Sequence, residues 1–396
     1  MNGTGWMRGA LAAAALTCAA AARAGEGVTA AEHEAMAARL EQAWRRLMTV
    51  YYSPKTHLFY ERPVERVAPA RAFEGGFLDP DKAGSYGAGM EDCAIHGGVA
   101  LSMLADRYEV TGEEALRGLA RDVYKGLRLC ATAHGVEGFV ARGVCAEDGR
   151  GVCLTSSRDQ YTHFVHGLWR YSRSGLCDEE TRGEIRELMR AVAERMVRNV
   201  TPANDYDFLR ADGSRDPRGI CRMWNVRPHE AARLPMIYAA AWDLCREEKY
   251  RALYREYAGP AAEQSLALAT LPQAEVNRWM PTYTLLQMQT SLEVLAELET
   301  EEALRRKLVE AMQSVARMAA ERAVRVNGGE ERWLCACGEA ALAQLMARGF
   351  GFSAEQERLV HKSVMDSDPE RVGTSRTVHL HAVYWRARRL GVFAKQ

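Results

Sequence analysis

The amino-acid sequence predicts an all-α chain organised as an (α/α)6 toroid, six helical hairpins closed into a ring. Three observations carry this expectation. Strand signals are sparse after residue 28, twelve segments have helical periodicity, and those segments alternate in character. Odd members such as EETRGEIRELMRAVAERMVRNV and EEALRRKLVEAMQSVARMAAERAV are amphipathic, with one charged face for solvent. Even members such as HEAARLPMIYAAAWDL and YTLLQMQTSLEVL carry few charges beyond their first turns, as helices buried all round do. A hairpin of one outer and one inner helix cannot bury its apolar face alone, so six of them stack into a closed ring.

The helices expected in order are 28–49, 91–107, 112–131, 159–173, 178–199, 227–246, 247–258, 281–298, 300–324, 337–348, 353–367 and 375–390. Inner-to-outer connections are short, as at EVTG near 109–112 and at 174–177. Connections leading into inner helices are long and carry glycines, aromatics and charges: 50–90, 132–158, 200–226, 259–280, 325–336 and 368–374. Long loops gathered at one end of a rigid ring build a binding surface there.

Residues 1–24 read as a secretory signal: Arg8, an apolar run from Ala10 to Ala22, then Ala22-Arg23-Ala24 as a cleavage site. That run is too short to span a bilayer, and no later segment is long and apolar enough, so no membrane span is expected. Residues 25–396 then form one catalytic domain in a secreted or periplasmic protein. Without Arg8 and Arg23, 50 basic residues face 52 acidic ones, which gives no footprint for nucleic acid or an anionic membrane. Nine cysteines remain once Cys18 is removed. Cys145 and Cys153 flank AEDGRGV and are candidates to close that loop as a disulfide. Cys335 and Cys337 are too close for either a metal knuckle or a mutual bond.

Two stretches hold the chemistry. SSRDQYTHFVHGLWRY (156–171) places Asp159, His163 and His166 on one stripe at the opening of an apolar helix. YGAGMEDCAIHGGVALSML (86–104) repeats the idea with Glu91, Asp92 and His96. First-turn positions of the other inner helices add Arg227, His229 and Glu230; Trp279 and Tyr283; Glu339; and Arg376 with His379. Two acids that each open a buried helix, 67 residues apart, suit a reaction needing one carboxylic acid and one carboxylate. A single such acid is more often just favourable to a helix N-terminus.

This placement resembles the six-hairpin glycosidase superfamily, and within it the unsaturated glucuronyl hydrolases, whose catalytic aspartates open the second and fourth helices. Asp92 and Asp159 fall at those places. The resemblance implies a glycoside hydrolase acting on uronate-bearing oligosaccharides with no cofactor. Asp159 is then expected as the general acid and base, kept partly protonated by burial beside Asp92. Asp92 is its partner, and Glu91 the alternative should the helix phase differ by one residue. His96 and His163, each four residues after an acid, are expected to orient the carboxylates by hydrogen bonding. A four-ligand metal site of Asp92, His96, Asp159 and His163 is the weaker alternative, since no compact His/Cys motif occurs.

Arginines 142, 158, 222 and 227 lie in or beside the long loops and can recognise a uronate carboxylate bidentately. Tyr86, Tyr161, Trp224, Trp279 and Tyr283 are candidate stacking platforms for sugar rings, while Trp169 and Trp242 sit deep in their helices and read as structural. Three rival readings use the same toroid. Late-helix histidines such as His229, His379 and His381 suit an epimerase. Tyr161, Tyr283 and His163 suit a polysaccharide lyase. A non-catalytic glycan binder has no use for two carboxylates on the floor of its pocket.

Overall fold

A computed structural model describes residues 27–78, 88–271, 280–327 and 336–393. The expected signal 1–24, Tyr86, Trp279 and Cys335 lie outside them. Twelve α-helices occur among the described residues, and they alternate as the sequence predicts. The outer ones are α1 (Ala30–Arg46), α3 (Leu116–Thr132), α5 (Glu179–Asn199), α7 (Glu248–Ala267), α9 (Glu302–Asn327) and α11 (Ala354–Met365). The inner ones are α2 (Cys93–Thr111), α4 (Arg158–Ser172), α6 (Arg233–Cys245), α8 (Thr282–Leu298), α10 (Ala336–Met346) and α12 (Thr374–Arg389). Each inner helix packs on the next, and α12 packs back on α2, so the ring closes.

Burial separates the two layers. Every residue of α10 is buried, and α4 leaves only Arg158, Asp159 and Arg170 incompletely covered. By contrast α5 buries a single stripe of Thr181, Ile185, Met189, Val192, Ala193, Arg195 and Met196. The outer layer closes where the chain's start meets its end. Thr29 and Glu32 form a capping box on α1, His33 bonds Glu357 of α11 at 2.8 Å, and Arg358 bonds Glu32 at 2.8 Å.

Boundaries moved where proline chemistry decides them. The sixth helix starts at Arg233 rather than 227, because Pro235 has no N–H and fits only in a first turn; Pro228–Glu230 forms a separate 3₁₀ turn ahead of it. Outer helix α7 runs on to Ala267 through Pro260, well past the expected end at 258. Among the described residues, regular strand is confined to the pairs β1 (Tyr52–Ser53) with β2 (Leu58–Phe59), antiparallel, and β3 (Phe77–Leu78) with β4 (Val152–Cys153), parallel.

The Cys145–Cys153 disulfide is not formed. Both are buried free thiols, and backbone bonds close the loop instead: Cys145 N–H to the Gly151 carbonyl at 2.7 Å and Gly149 N–H to the Cys145 carbonyl at 2.9 Å.

Glycines set the spacing that matters for the site. A Cβ on Gly98 of α2 would lie 2.1 Å from the His163 carbonyl oxygen of α4, and one on Gly167 would lie 2.5 Å from the Gly98 Cα. Only glycine permits so close an approach. It brings the N-terminal turns of α2 and α4, with their acids, side by side.

Candidate active site

The first wall of the site is the start of α2. Asp92 is the N-cap residue of that helix, and the loop from α3 lies flat over it: a Cβ on Gly143 would sit 2.7 Å from the Cys93 Sγ. The neighbouring Arg142 carbonyl therefore accepts the otherwise unpaired Ala94 N–H at 2.9 Å. The Arg142 guanidinium bonds the Glu91 carbonyl at 3.1 Å and stands 3.6 Å from the Asp92 carboxylate. From α4, Gln160 donates to Asp92 Oδ1 at 2.7 Å and to the Glu91 carbonyl at 3.0 Å.

A third carboxyl joins this wall. Glu61, whose N–H donates to the Gly89 carbonyl at 3.0 Å, meets both Asp92 and Glu91 through its side chain. Burial, and the charges of Asp92 and Glu91 beside it, push the Glu61 carboxyl up to about 9. Carboxylates this close cannot all ionise at neutral pH, so the cluster keeps a proton.

The opposite wall is the start of α4. Asp159 is ion-paired with Arg233 of α6, a side chain only 2 % exposed that also donates to Gln287 of α8 at 2.7 Å. Burial disfavours the Asp159 charge, but Arg233, with Arg158 and Arg142 behind it, outweighs burial and holds the carboxyl below its ordinary value. The expectation of a partly protonated Asp159 is thus corrected: it is the ionised member, and the proton resides on the Glu61 side. Arg142 stands 3.6 Å from Asp92, and its charge also acts on Asp159. Both reach solvent, their side chains being 40 % and 30 % exposed for Asp92 and Asp159.

Beneath the acids three histidines converge, His96 from α2, His163 from α4 and His379 from α12, each almost fully buried. Burial pulls His96 down to about 4 against the opposing charge of Asp92, with His379 adding to the fall. His163 lies well below its usual value because of burial, His379 and His166. Both are neutral at pH 7. His379 Nδ1 pairs with the Ser375 carbonyl at 2.7 Å. Tyr283, 43 % exposed at the start of α8, completes the funnel; Asp159 and Glu339 both act on its hydroxyl, and Glu339 accepts from Thr282 at 2.6 Å.

Other expected site residues lie elsewhere. Tyr161 is fully buried, its hydroxyl donating to the Gly138 carbonyl and accepting from Val140 N–H, both at 3.0 Å, with its ring 4.5 Å from Phe208. It has no access to substrate. Arg158 pairs with Glu230 at 2.5 Å and with the Gly219 and Arg222 carbonyls at 2.7 and 3.2 Å, stapling loop 200–226 rather than offering a free fork. Trp224 packs edge-on against Tyr257 of α7 at 4.7 Å. His229 is buried beside Glu230 at 3.8 Å, while Arg227 is exposed. Arg222 pairs with Asp205. The structure therefore brings together Glu91, Asp92, His96, Arg142, Asp159, His163, Tyr283 and His379. It adds Glu61, Gln160 and Arg233, which the sequence reading did not single out. Among the described residues no three His, Cys, Asp or Glu side chains are arranged to hold a metal ion, and the Asp159 carboxylate is occupied by Arg233.

No protein-family model matches the chain, and no curated protein matches it. Solved structures do, among them the following two. A sugar epimerase from a ruminal bacterium superimposes with a TM-score of 0.53 and 11 % identity, over 89 % of this chain and 99 % of that one. A family 76 glycoside hydrolase from a bovine Bacteroides thetaiotaomicron strain superimposes with a TM-score of 0.51 and 12 % identity, over 89 % and 77 %. Likeness at such identity speaks to architecture alone, and on that ground the chain has the fold of these six-hairpin (α/α)6 toroids.

Proposed function

We propose that the chain is an exported carbohydrate-active hydrolase that cleaves uronate-bearing oligosaccharides, with unsaturated uronyl groups as the leading substrate. One observation carries this reading: two carboxylate groups share a funnel, one holding a proton at neutral pH and the other held ionised. Environments that push paired acids apart in this way divide the roles of acid and carboxylate between them. Asp92, a member of the Glu61 cluster with its side chain 40 % exposed, delivers the shared proton to the leaving oxygen or to an enol-ether carbon. Asp159 accepts a proton from the attacking water as its oxygen bonds the sugar carbon, and balances the positive charge that develops there. Arg142, 3.6 Å from Asp92, offsets the acids' repulsion of a substrate carboxylate, and Tyr283 offers an aromatic face to the ring. The assay is incubation of the purified chain with lyase-digested and intact polyuronates. Loss of the ultraviolet absorbance of unsaturated uronate supports the reading; no absorbance change and no new reducing ends on either substrate overturns it.

Two neutral histidines, His96 and His163, favour a second reading, epimerisation of a sugar by proton transfer at carbon, an activity named for one of the structural neighbours. Uptake of solvent deuterium at a sugar carbon without bond cleavage supports that reading against the first.

A further inference from the structure

A cavity of about 530 Å³ lies at the end of the toroid opposite the acids, where α2, α4, α8, α10 and α12 finish. Five guanidiniums line it: Arg170, Arg173, Arg348, Arg386 and Arg389. Cations at helix C-termini are expected on dipole grounds alone, so their presence by itself indicates no ligand. Their partners say more. Arg170 pairs with Asp106, Arg386 with Asp106 and Glu293, and Arg389 with Asp106 at 2.6 Å and Glu109 at 3.7 Å. Arg173 pairs with Asp243 at 2.7 Å and Glu297 at 3.7 Å, and Arg348 pairs with Glu297. The five arginines thus meet five carboxylates, Asp106, Glu109, Asp243, Glu293 and Glu297. Glu109, Glu293 and Glu297 line the cavity with the arginines, and Asp106 and Asp243 stand behind them, so the wall with its partners is dense in hydrogen-bonding groups and close to neutral in charge.

That combination selects the ligand class. A net cationic pocket would favour phosphate or carboxylate; a balanced one gains nothing from a charged guest and must desolvate it. Planar guanidinium and carboxylate groups instead offer paired donors and acceptors to vicinal hydroxyls. Capacity for a guest lies at the rim, where Arg173 and Arg348 are 42 % and 45 % exposed. Phe350 and Phe352, both half-buried, add aromatic surface to the same wall. The volume falls within the usual range of small-molecule sites, roughly 300–1,000 Å³.

We propose that this cavity is a second saccharide site, one that takes a neutral mono- or disaccharide and is separate from the acid-bearing funnel. It stands independently of the chemistry performed in that funnel. The test uses ligand-observed NMR and calorimetry on the full chain with maltose, cellobiose, lactose and inorganic phosphate as probes. At least one neutral disaccharide should bind with a Kd of about 1 mM or tighter. Arg348→Ala should weaken it at least tenfold, as should Leu390→Trp, which fills the cavity mouth at an exposed position without touching a buried pair. Both variants should keep the parent's melting temperature and turnover. The proposal is overturned if no neutral disaccharide binds, if phosphate alone binds, or if binding survives both variants unchanged, which places the sugar in the funnel instead.

Discussion

Glu61→Gln isolates the proton on which the proposed acid depends. In the native chain burial and two neighbouring carboxylates lift Glu61 from 4.5 to about 9. The stabilisation tied to that bound proton is complete below pH 4.5 and is lost as pH rises toward 9, because the unfolded chain releases the proton first. A shift of one unit corresponds to about 1.4 kcal/mol, so the native chain should lose up to about 1.4 kcal/mol per pH unit across that window. For a chain of 396 residues the unfolding entropy is of order 0.8 kcal/mol per degree, which makes this roughly 2 °C per pH unit. Glutamine keeps the shape and can donate to Asp92 and Glu91 without a titratable proton. Thermal melts of parent and variant between pH 5 and 9 should therefore converge, the parent's advantage shrinking by roughly 2 °C for each unit. The same substitution should cut kcat/KM at pH 7 by about 10²-fold if Asp92 draws its proton from this cluster. Parallel melting curves over the whole range would refute the shared proton.

Asp159→Asn should lower turnover by at least about 10²-fold. It should also cost roughly 2–3 kcal/mol of stability, because it leaves the buried Arg233 without a counter-charge in a site open to some solvent screening; unaltered turnover removes Asp159 from the mechanism. Burial depresses His96, His229 and His381 to about 4. Their contribution to stability is complete above pH 6.5 and lost as pH falls through 4, so melts in that window should show a steep acid-side decline. Gly98→Ala should prevent folding or cost several kcal/mol, since its Cβ would meet the His163 carbonyl at 2.1 Å, whereas Gly183→Ala, with nothing within 4 Å inside α5, should stabilise by about 0.5–1 kcal/mol. Reducing agent should leave the melting temperature unchanged, because Cys145 and Cys153 are both free thiols.

The alternation of amphipathic and all-apolar helices was legible because burial on one face or on all faces writes itself into local composition. The positions of Asp92 and Asp159 were legible for the same reason: an acid at the mouth of a buried helix is conspicuous. Tyr161 should not have been gathered with them. Two residues along a helix is a turn of about 200°, so Tyr161 points away from Asp159 and into the packing between α4 and loop 200–226. Arg233 did leave a signal, a lone charge within the apolar run AARLPMIYAAAW, since arginine in such a helix requires a buried partner. Its partner could not be named without the ring, because Asp159 lies on a different helix.

Glu61 left no local trace. It sits in a loop in the stretch FYERP, and its abnormal ionisation comes from Asp92 and Glu91, some thirty residues away along the chain, meeting it at the Gly89 turn. The same limit governs the division of labour between the acids. The sequence places them symmetrically, each opening an inner helix, and gives no reason to protonate one rather than the other. What breaks the symmetry is tertiary: α6 supplies a guanidinium to Asp159, while loop 52–92 supplies a carboxyl to Asp92. Exchanging those two neighbours should exchange the roles of the acids. The combined variant Arg233→Met with Glu61→Gln should therefore shift the pH profile of any residual activity more than either change alone, since it removes both sources of the asymmetry.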